Sequence, residues 1–197
     1  MKTRSFLLID IFSTLYLAIP ILTSWFVTIT CIYYCKVLGI LLSPLIFTLT
    51  LCLVILLLRL PLKKLRKSVF PIGFNKEYIS WFLNLSLTRA VLSSGISNFL
   101  YSMSWSRYLI FRSLGAKVSY VSIFALNAEI TDLPLITVGR GTLVGDHAKL
   151  SCHFFNKNKV ILKPISIGEN CTVLANTVVA PGTKASDNEI IGKGKST

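Results

Sequence analysis

Val138-Gly-Arg-Gly141-Thr-Leu-Val144-Gly-Asp-His147-Ala-Lys-Leu150 and, after an interruption, Ile167-Gly-Glu-Asn170-Cys-Thr-Val173-Leu-Ala-Asn176-Thr-Val-Val179-Ala-Pro-Gly182 share one rhythm. An aliphatic residue recurs every six positions, at Val138, Val144 and Leu150 and again at Ile161, Ile167, Val173, Val179, Ala185 and Ile191. Three residues after the aliphatics stand Gly141, His147, His153, Asn170, Asn176, Gly182, Asn188 and Gly194, types that tolerate a positive φ; Pro164, after Ile161, departs from the rule. A fixed short period marks a solenoid, and a period of six marks a parallel β-helix. One aliphatic per side points inward and stacks on its equivalent in the next coil, the corner residue bends the chain, and three short sides close one turn of a triangular prism. From Leu150 to Ile161 the spacing is eleven, one repeat plus a five-residue insertion, so a loop is expected there.

Toward the N-terminus the texture changes. Residues 11–35 carry no charged side chain and neither do 37–58, with only Lys36 between them. At about 1.5 Å per helical residue each run reaches across a hydrocarbon core about 30 Å thick. The first run is too long for the apolar segment of an export signal and a second follows at once, so both are read as anchors. Asp10 fits headgroup level at the start of the first span. Lys2 and Arg4 precede the first span, and Arg59, Lys63, Lys64, Arg66 and Lys67 follow the second. The positive-inside bias therefore expects a multi-pass hairpin in the cytoplasmic (inner) membrane, both ends and the C-terminal domain facing the cytoplasm.

The same distribution accounts for the net charge of +13 and the mean hydropathy of +0.66. Anionic membrane lipids are partner enough for the basic cluster, and no nucleic acid is required. The five cysteines, Cys31, Cys35, Cys52, Cys152 and Cys171, show no zinc-type spacing and read as small apolar residues in a reducing compartment. Pro61, Pro71 and Gly73 end the helical pattern, and from Lys76 to Arg112 large apolar residues return among charges. An amphipathic interfacial helix is expected there, with Trp81, Trp105 and Tyr108 at headgroup level. The expected domains are thus 1–75, transmembrane hairpin and basic segment; 76–117, interfacial helix; and 118–197, β-helix.

With Leu150-Ser-Cys-His153, the loop, Lys163-Pro-Ile-Ser-Ile-Gly168-Glu-Asn170 and Val179-Ala-Pro-Gly182, the C-terminal half resembles the hexapeptide-repeat acyltransferases of galactoside and serine type. In those a loop histidine precedes a Pro-Ile-x-Ile-Gly segment and a Pro-Gly turn. Trp105-Ser-Arg-Tyr-Leu-Ile-Phe-Arg-Ser-Leu-Gly-Ala-Lys117 and Ile130-Thr-Asp-Leu-Pro-Leu-Ile-Thr-Val-Gly139 are similar to the membrane-bound C-terminal modules of polylysine-synthetase-like peptide synthetases. The resemblance covers residues 99–197. It implies an all-β left-handed parallel β-helix, a homotrimer with active sites between subunits, and no tightly bound cofactor, with acetyl-CoA or another pantetheine thioester as co-substrate. The chain departs from the pattern at Thr172 and Val173, where an aromatic is usual, and in ending at Thr197 without a capping helix. A partner over the last coil, or a shortened member of the group, is expected.

Acyl transfer from a thioester needs a base for the incoming hydroxyl or amine, and a histidine titrating near pH 6.5 is suited to the task. The resemblance points to His153, before the insertion where an acceptor would be held. His147 is the second candidate, and Asp146 is placed to orient a histidine. Ala175, Asn176, Ala180 and Gly182 are the candidate surface for the pantetheine arm, small residues there allowing backbone approach. A zinc hydratase on the same fold would need three imidazoles at one metal, and the chain has two histidines, expected on successive corners, so no metal site is assigned. The acceptor class is a hydroxyl or amine on a small molecule or glycan. Two other readings stay open at this stage: a peptide-synthetase accessory domain that joins or releases amino acids, and a non-catalytic β-helix scaffold.

Overall fold

The computed structural model describes residues 3–192, with side chains from Leu7 onward. The chain divides into two compact units, Met1–Lys63 with Gly73–Leu114, and Lys64–Ile72 with Gly115–Thr197.

In the first unit, α1 (Thr3–Arg59) is two helical arms joined at Lys36, whose φ of 49° and ψ of −120° break the helix. The arms run antiparallel. Trp25 and Phe47, equidistant in sequence from Lys36, meet edge to face at 5.1 Å between ring centroids. Gly39 lies so close to the backbone of Cys31 and Ile32 that a Cβ there would sit 2.7 Å from the Cys31 carbonyl oxygen. Only glycine fits this reversal. Pro44 lacks the N–H that would bond the Ile40 carbonyl, and the Ser43 hydroxyl donates to that oxygen instead at 2.7 Å. The expected hairpin of helices is therefore present, and by length and composition Leu7–Arg59 is apolar enough to cross a membrane.

The segment expected as one interfacial helix, 76–112, is instead three helices: α2 (Lys76–Leu92), α3 (Ser97–Ser102) and α4 (Ser104–Ser113). Asn75 caps α2, its side-chain oxygen accepting from the Tyr78 N–H at 2.8 Å. Gly95, with φ 83°, stands in the break after it. The single amphipathic stripe is also missing from α2, because Tyr78, Ser80, Trp81, Leu83, Asn84, Leu87 and Val91 are buried around most of its circumference. The arms of α1 explain this: Ser13 meets Ser86 at 2.7 Å, Trp25 donates to the Ser94 carbonyl, and Thr48 meets Ser106 at 3.2 Å. The Arg59 guanidinium donates to Asn84 Oδ1 and to the Ser113 carbonyl, tying α1, α2 and the end of α4 together.

The second unit opens with β1 (Ser68–Pro71), so the basic segment 64–72 belongs here and not with the hairpin, as the sequence-based boundary at 75 had it. Then follow β2 (Lys117–Val118), β3 (Ile123–Phe124), β4 (Glu129–Ile130), β5 (Ile136–Val138), β6 (Leu143–Val144) and β7 (Lys149–Leu150). An antiparallel pair comes next, β8 (His153–Asn156) and β9 (Lys159–Leu162). The chain continues through β10 (Ile165–Ile167), β11 (Thr172–Val173), β12 (Val178–Val179), β13 (Lys184–Ala185) and β14 (Ile190–Ile191). The strands other than β1, β8 and β9 form three parallel sheets, β2-β5-β10-β13, β3-β6-β11-β14 and β4-β7-β12. These are the three sides of a prism, each successive strand going to the next side.

The six-residue rhythm is this register. Val138 pairs with Val118 and Ile167, Val144 with Phe124 and Val173, and Leu150 with Ile130 and Val179. Val138, Val144, Leu150, Ile167, Val173 and Val179 are all at most 2% exposed. The corners at Gly141, His147, Asn170, Asn176, Gly182 and Asn188 all have positive φ, between 51° and 92°. Gly194 lies outside the described residues. Two expectations are corrected. Ile161 is not an inward residue of a coil but lies half-buried in β9, and the prism resumes only at β10, so the insertion is a hairpin arm and not a five-residue loop. His153 is not a corner with positive φ, since it opens strand β8. An earlier coil was missed, because Val118, Phe124 and Ile130 continue the rhythm N-terminally before an eight-residue step to Val138.

Candidate functional site

The prism has three edges, and the one joining the third side back to the first is irregular. In a regular coil four residues turn this corner, as at Ala180-Pro181-Gly182-Thr183 between β12 and β13. One coil earlier the hairpin β8–β9 leaves the prism there, and one coil before that the turn is lengthened by the 3-10 turn Leu133–Leu135. Asp132 and His153 therefore sit on one edge in adjacent coils, close to one strand spacing of about 4.8 Å apart. Because Ile130 pairs with Leu150, Asp132 falls opposite Cys152 and beside His153.

Asp132 has φ 55°, a left-handed conformation that aspartate tolerates better than most residues. Its side chain is 1% exposed, and one oxygen, Oδ2, lies 2.5 Å from His153 Nδ1 and accepts from the Cys152 N–H at 3.2 Å. A buried carboxylate only accepts, so the Nδ1 proton points at it and the lone pair of His153 is placed on Nε2. The His153 side chain is mostly buried but keeps 19% exposure. Phe155 stands edge-on to the imidazole at 5.7 Å. Lys163 lies over the ring of Phe154, with Nζ 5.4 Å from the centroid. Ser151 Oγ is 3.4 Å from Nδ1, a weak second contact.

Cys152, next to the histidine, is not equipped as a nucleophile. Burial, above all, pushes its thiol up to about 12, helped by the charge of Asp132. Little thiolate therefore exists near neutral pH.

His147 and Asp146 occupy a different edge, the corner between β6 and β7, and the structure does not bring them to His153. Nε2 of His147 is 3.4 Å from Asp146 Oδ2, with both side chains about half exposed or more, and His147 has the positive φ of an ordinary corner. Asp146 also accepts from Asn127 Nδ2 at 3.4 Å. Ala175 and Asn176 form the corner stacked on this one, the Asn176 N–H donating to the Asp146 carbonyl. Ala180 and Gly182 are on the His153 edge, where the Lys163 stem packs against Gly182 within 3.1 Å of where a Cβ would lie. All four are exposed. Among the described residues no three His, Cys, Asp or Glu side chains gather as for a metal ion.

Sequence reasoning missed Asp132. Two signals could have found it: the rhythm running back through Ile130, and the stretched step from Ile130 to Val138 at the very edge where the next coil carries its own insertion.

Geometry of this kind defines a class, a parallel β-helix with a carboxylate-held histidine at the root of a projecting arm. Neither a protein-family model nor a curated protein matches the chain. Among solved structures it is similar to serine acetyltransferase from Neisseria gonorrhoeae in complex with serine, at 10% identity over 63% of this chain and a TM-score of 0.22. It is also similar to serine acetyltransferase isoform 3 from Entamoeba histolytica in complex with cysteine, at 12% identity over 89% of this chain and 71% of that one, with a TM-score of 0.25. The chain spans 61% of the length of the Neisseria protein. Likenesses this distant leave the site to be read from its own geometry.

Proposed function

We propose that this protein is a membrane-anchored acyltransferase that moves an acyl group such as acetyl from a pantetheine thioester to a hydroxyl or amine. The observation that carries the reading is the buried Asp132 carboxylate holding His153 by Nδ1 at the root of the β8–β9 arm. Nε2 takes the proton from the acceptor O–H or N–H as that atom attacks the thioester carbonyl. The new C–O or C–N bond forms, the C–S bond breaks, and the proton held on the imidazole goes to the departing sulfur. Asp132 steadies the imidazolium while it exists.

Acetyl-CoA, with no tightly bound cofactor, is the first donor to test. The exposed face from Ala175 and Asn176 to Ala180 and Gly182 spans the two edges bordering β12 and would take the extended pantetheine arm. We assign the prism the left-handed twist of hexapeptide-repeat enzymes and a homotrimeric assembly, which would close the His153 edge against a neighbouring subunit. The acceptor is a small molecule or glycan-type group at the cytoplasmic face of the membrane. Anchoring is supported by an inverted texture in the first unit: Leu22, Phe26, Leu41, Leu49 and Leu53 are exposed along the arms, while Ser24, Thr28, Thr48, Ser86, Ser94 and Ser106 are buried. Water favours the opposite arrangement, and lipid favours this one.

The test is thiol release from acetyl-CoA by the purified full chain across a set of hydroxyl and amine acceptors. His153→Ala leaves the buried Asp132 carboxylate short of a partner and should lower the thermal transition, yet in the protein that still folds transfer should fall at least about a hundredfold. An unchanged rate in a folded variant removes the reading.

A further inference from the structure

Outside the His153 site, the strongest unassigned feature is the small sheet β1-β9-β8. By register Phe70, Val160 and Leu162 share one face and are at most 5% exposed, with Phe155 on that face but exposed near the turn, while Val69, Ile161 and Phe154 share the other face. Beside that row, Val69, Pro71, Ile161, Lys157 and Lys159 border an open concavity of about 480 Å³. Every charged residue of the two segments that build the sheet is basic. Residues 64–72 contribute Lys64, Arg66 and Lys67, residues 153–163 contribute Lys157, Lys159 and Lys163, and neither contains an Asp or Glu. Lys64, Arg66, Lys67, Lys157 and Lys159 are exposed, and among the described residues none of them is in an ion pair. Lys157 takes the hairpin turn with φ 53°, a conformation that Gly or Asn adopts at less cost.

We propose that this sheet is a docking face for an anionic lipid surface. An apolar row with a wholly basic rim is complementary to headgroup phosphates over acyl chains, and a protein partner of mixed charge would leave the rim without acidic counterparts. Chain connectivity argues for the same occupant. Eight residues lie between Arg59, where α1 ends, and Ser68, where β1 begins, so chain length alone tethers this sheet within about 30 Å of a helix long enough to span a bilayer. The proposal does not depend on acyl transfer, and anchoring enters only through that proximity.

The test compares the full chain in bilayers of phosphatidylcholine alone and of phosphatidylcholine with about a quarter phosphatidylglycerol, read by amide hydrogen exchange. Peptides covering 64–72 and 153–163 should exchange at least about fivefold more slowly in the anionic bilayer, and high salt should abolish the difference. In the double variant Lys157→Glu, Lys159→Glu the protection should be lost while exchange at Thr172–Val173 stays as in the parent, which reports an intact prism. The contrast holds equally for bilayers added to the chain in solution, so helices that fail to insert do not blunt it. Equal exchange in the two bilayers, or protection that survives the charge reversal, overturns the proposal. So does protection in neutral bilayers that grows with protein concentration, which would give the face to a second copy of the chain.

Discussion

At the scale of single residues, the proposed reaction gives the acid beside the histidine a part in chemistry as well as in stability, and two substitutions separate them. Asn adopts positive φ as readily as Asp and offers one oxygen to both N–H groups, so Asp132→Asn should fold normally yet lose the charge that steadies the imidazolium. Turnover of acetyl-CoA should then fall in kcat by about ten- to a hundredfold with the donor KM little changed. Asp132→Ala in addition strands the buried Cys152 N–H, and equilibrium unfolding should show a loss of about 1–3 kcal/mol. Cys152 itself, with its thiol pushed up to about 12, should stay unalkylated by iodoacetamide in the native protein at pH 8 and react once the chain is denatured.

At the scale of elements, the coils stack so closely that side-chain size is decided by the neighbouring backbone. A Cβ on Gly139 would sit 2.5 Å from the carbonyl carbon and oxygen of Gly168 in the next coil. Neither atom can yield without moving the coil. Gly139→Ala should therefore lower the thermal transition of the β-helix by several degrees, corresponding to about 1–3 kcal/mol, whereas Asn176→Gly, at a corner already in the left-handed region, should leave it within about 0.5 kcal/mol. The arm β8–β9 is an element of a different kind. Its strand β9 pairs with β1, drawn from a segment some ninety residues earlier, so the arm is held by a partner distant in sequence.

At the scale of the whole molecule, the decisive question is the environment of the helical hairpin. The chain should resist alkaline carbonate extraction from membranes. A cysteine introduced for Lys36, with the native cysteines replaced, should react with a membrane-impermeant maleimide added from the side opposite the N-terminus. Labelling from the same side as the N-terminus would refute the hairpin topology. The prism and the hairpin were both legible beforehand, because each rests on a local pattern: a period of six with tolerant corners in one, and two uncharged runs parted by one lysine in the other. The interfacial helix was misjudged for a complementary reason. Its large apolar residues among charges read as one amphipathic helix, and only the packing against the arms of α1 shows why Ser86, Ser94 and Ser106 are inside.

The sequence alone determined which residues of the regular coils, 138–150 and 167–191, point inward, since a six-residue repeat with tolerant corners leaves a single register that buries the aliphatics, but it misplaced Ile161 and His153 beside the insertion. The family resemblance pointed to His153, with His147 second. The tertiary structure supplied the partner of His153, through contacts no local pattern encodes. Asp132 lies twenty-one residues away and becomes its partner only because coils stack at one strand spacing, and β1 joins the arm from a segment some ninety residues earlier in the chain. Periodicity is a property of neighbours along the chain, whereas the charge that orients a base is a property of neighbours across it.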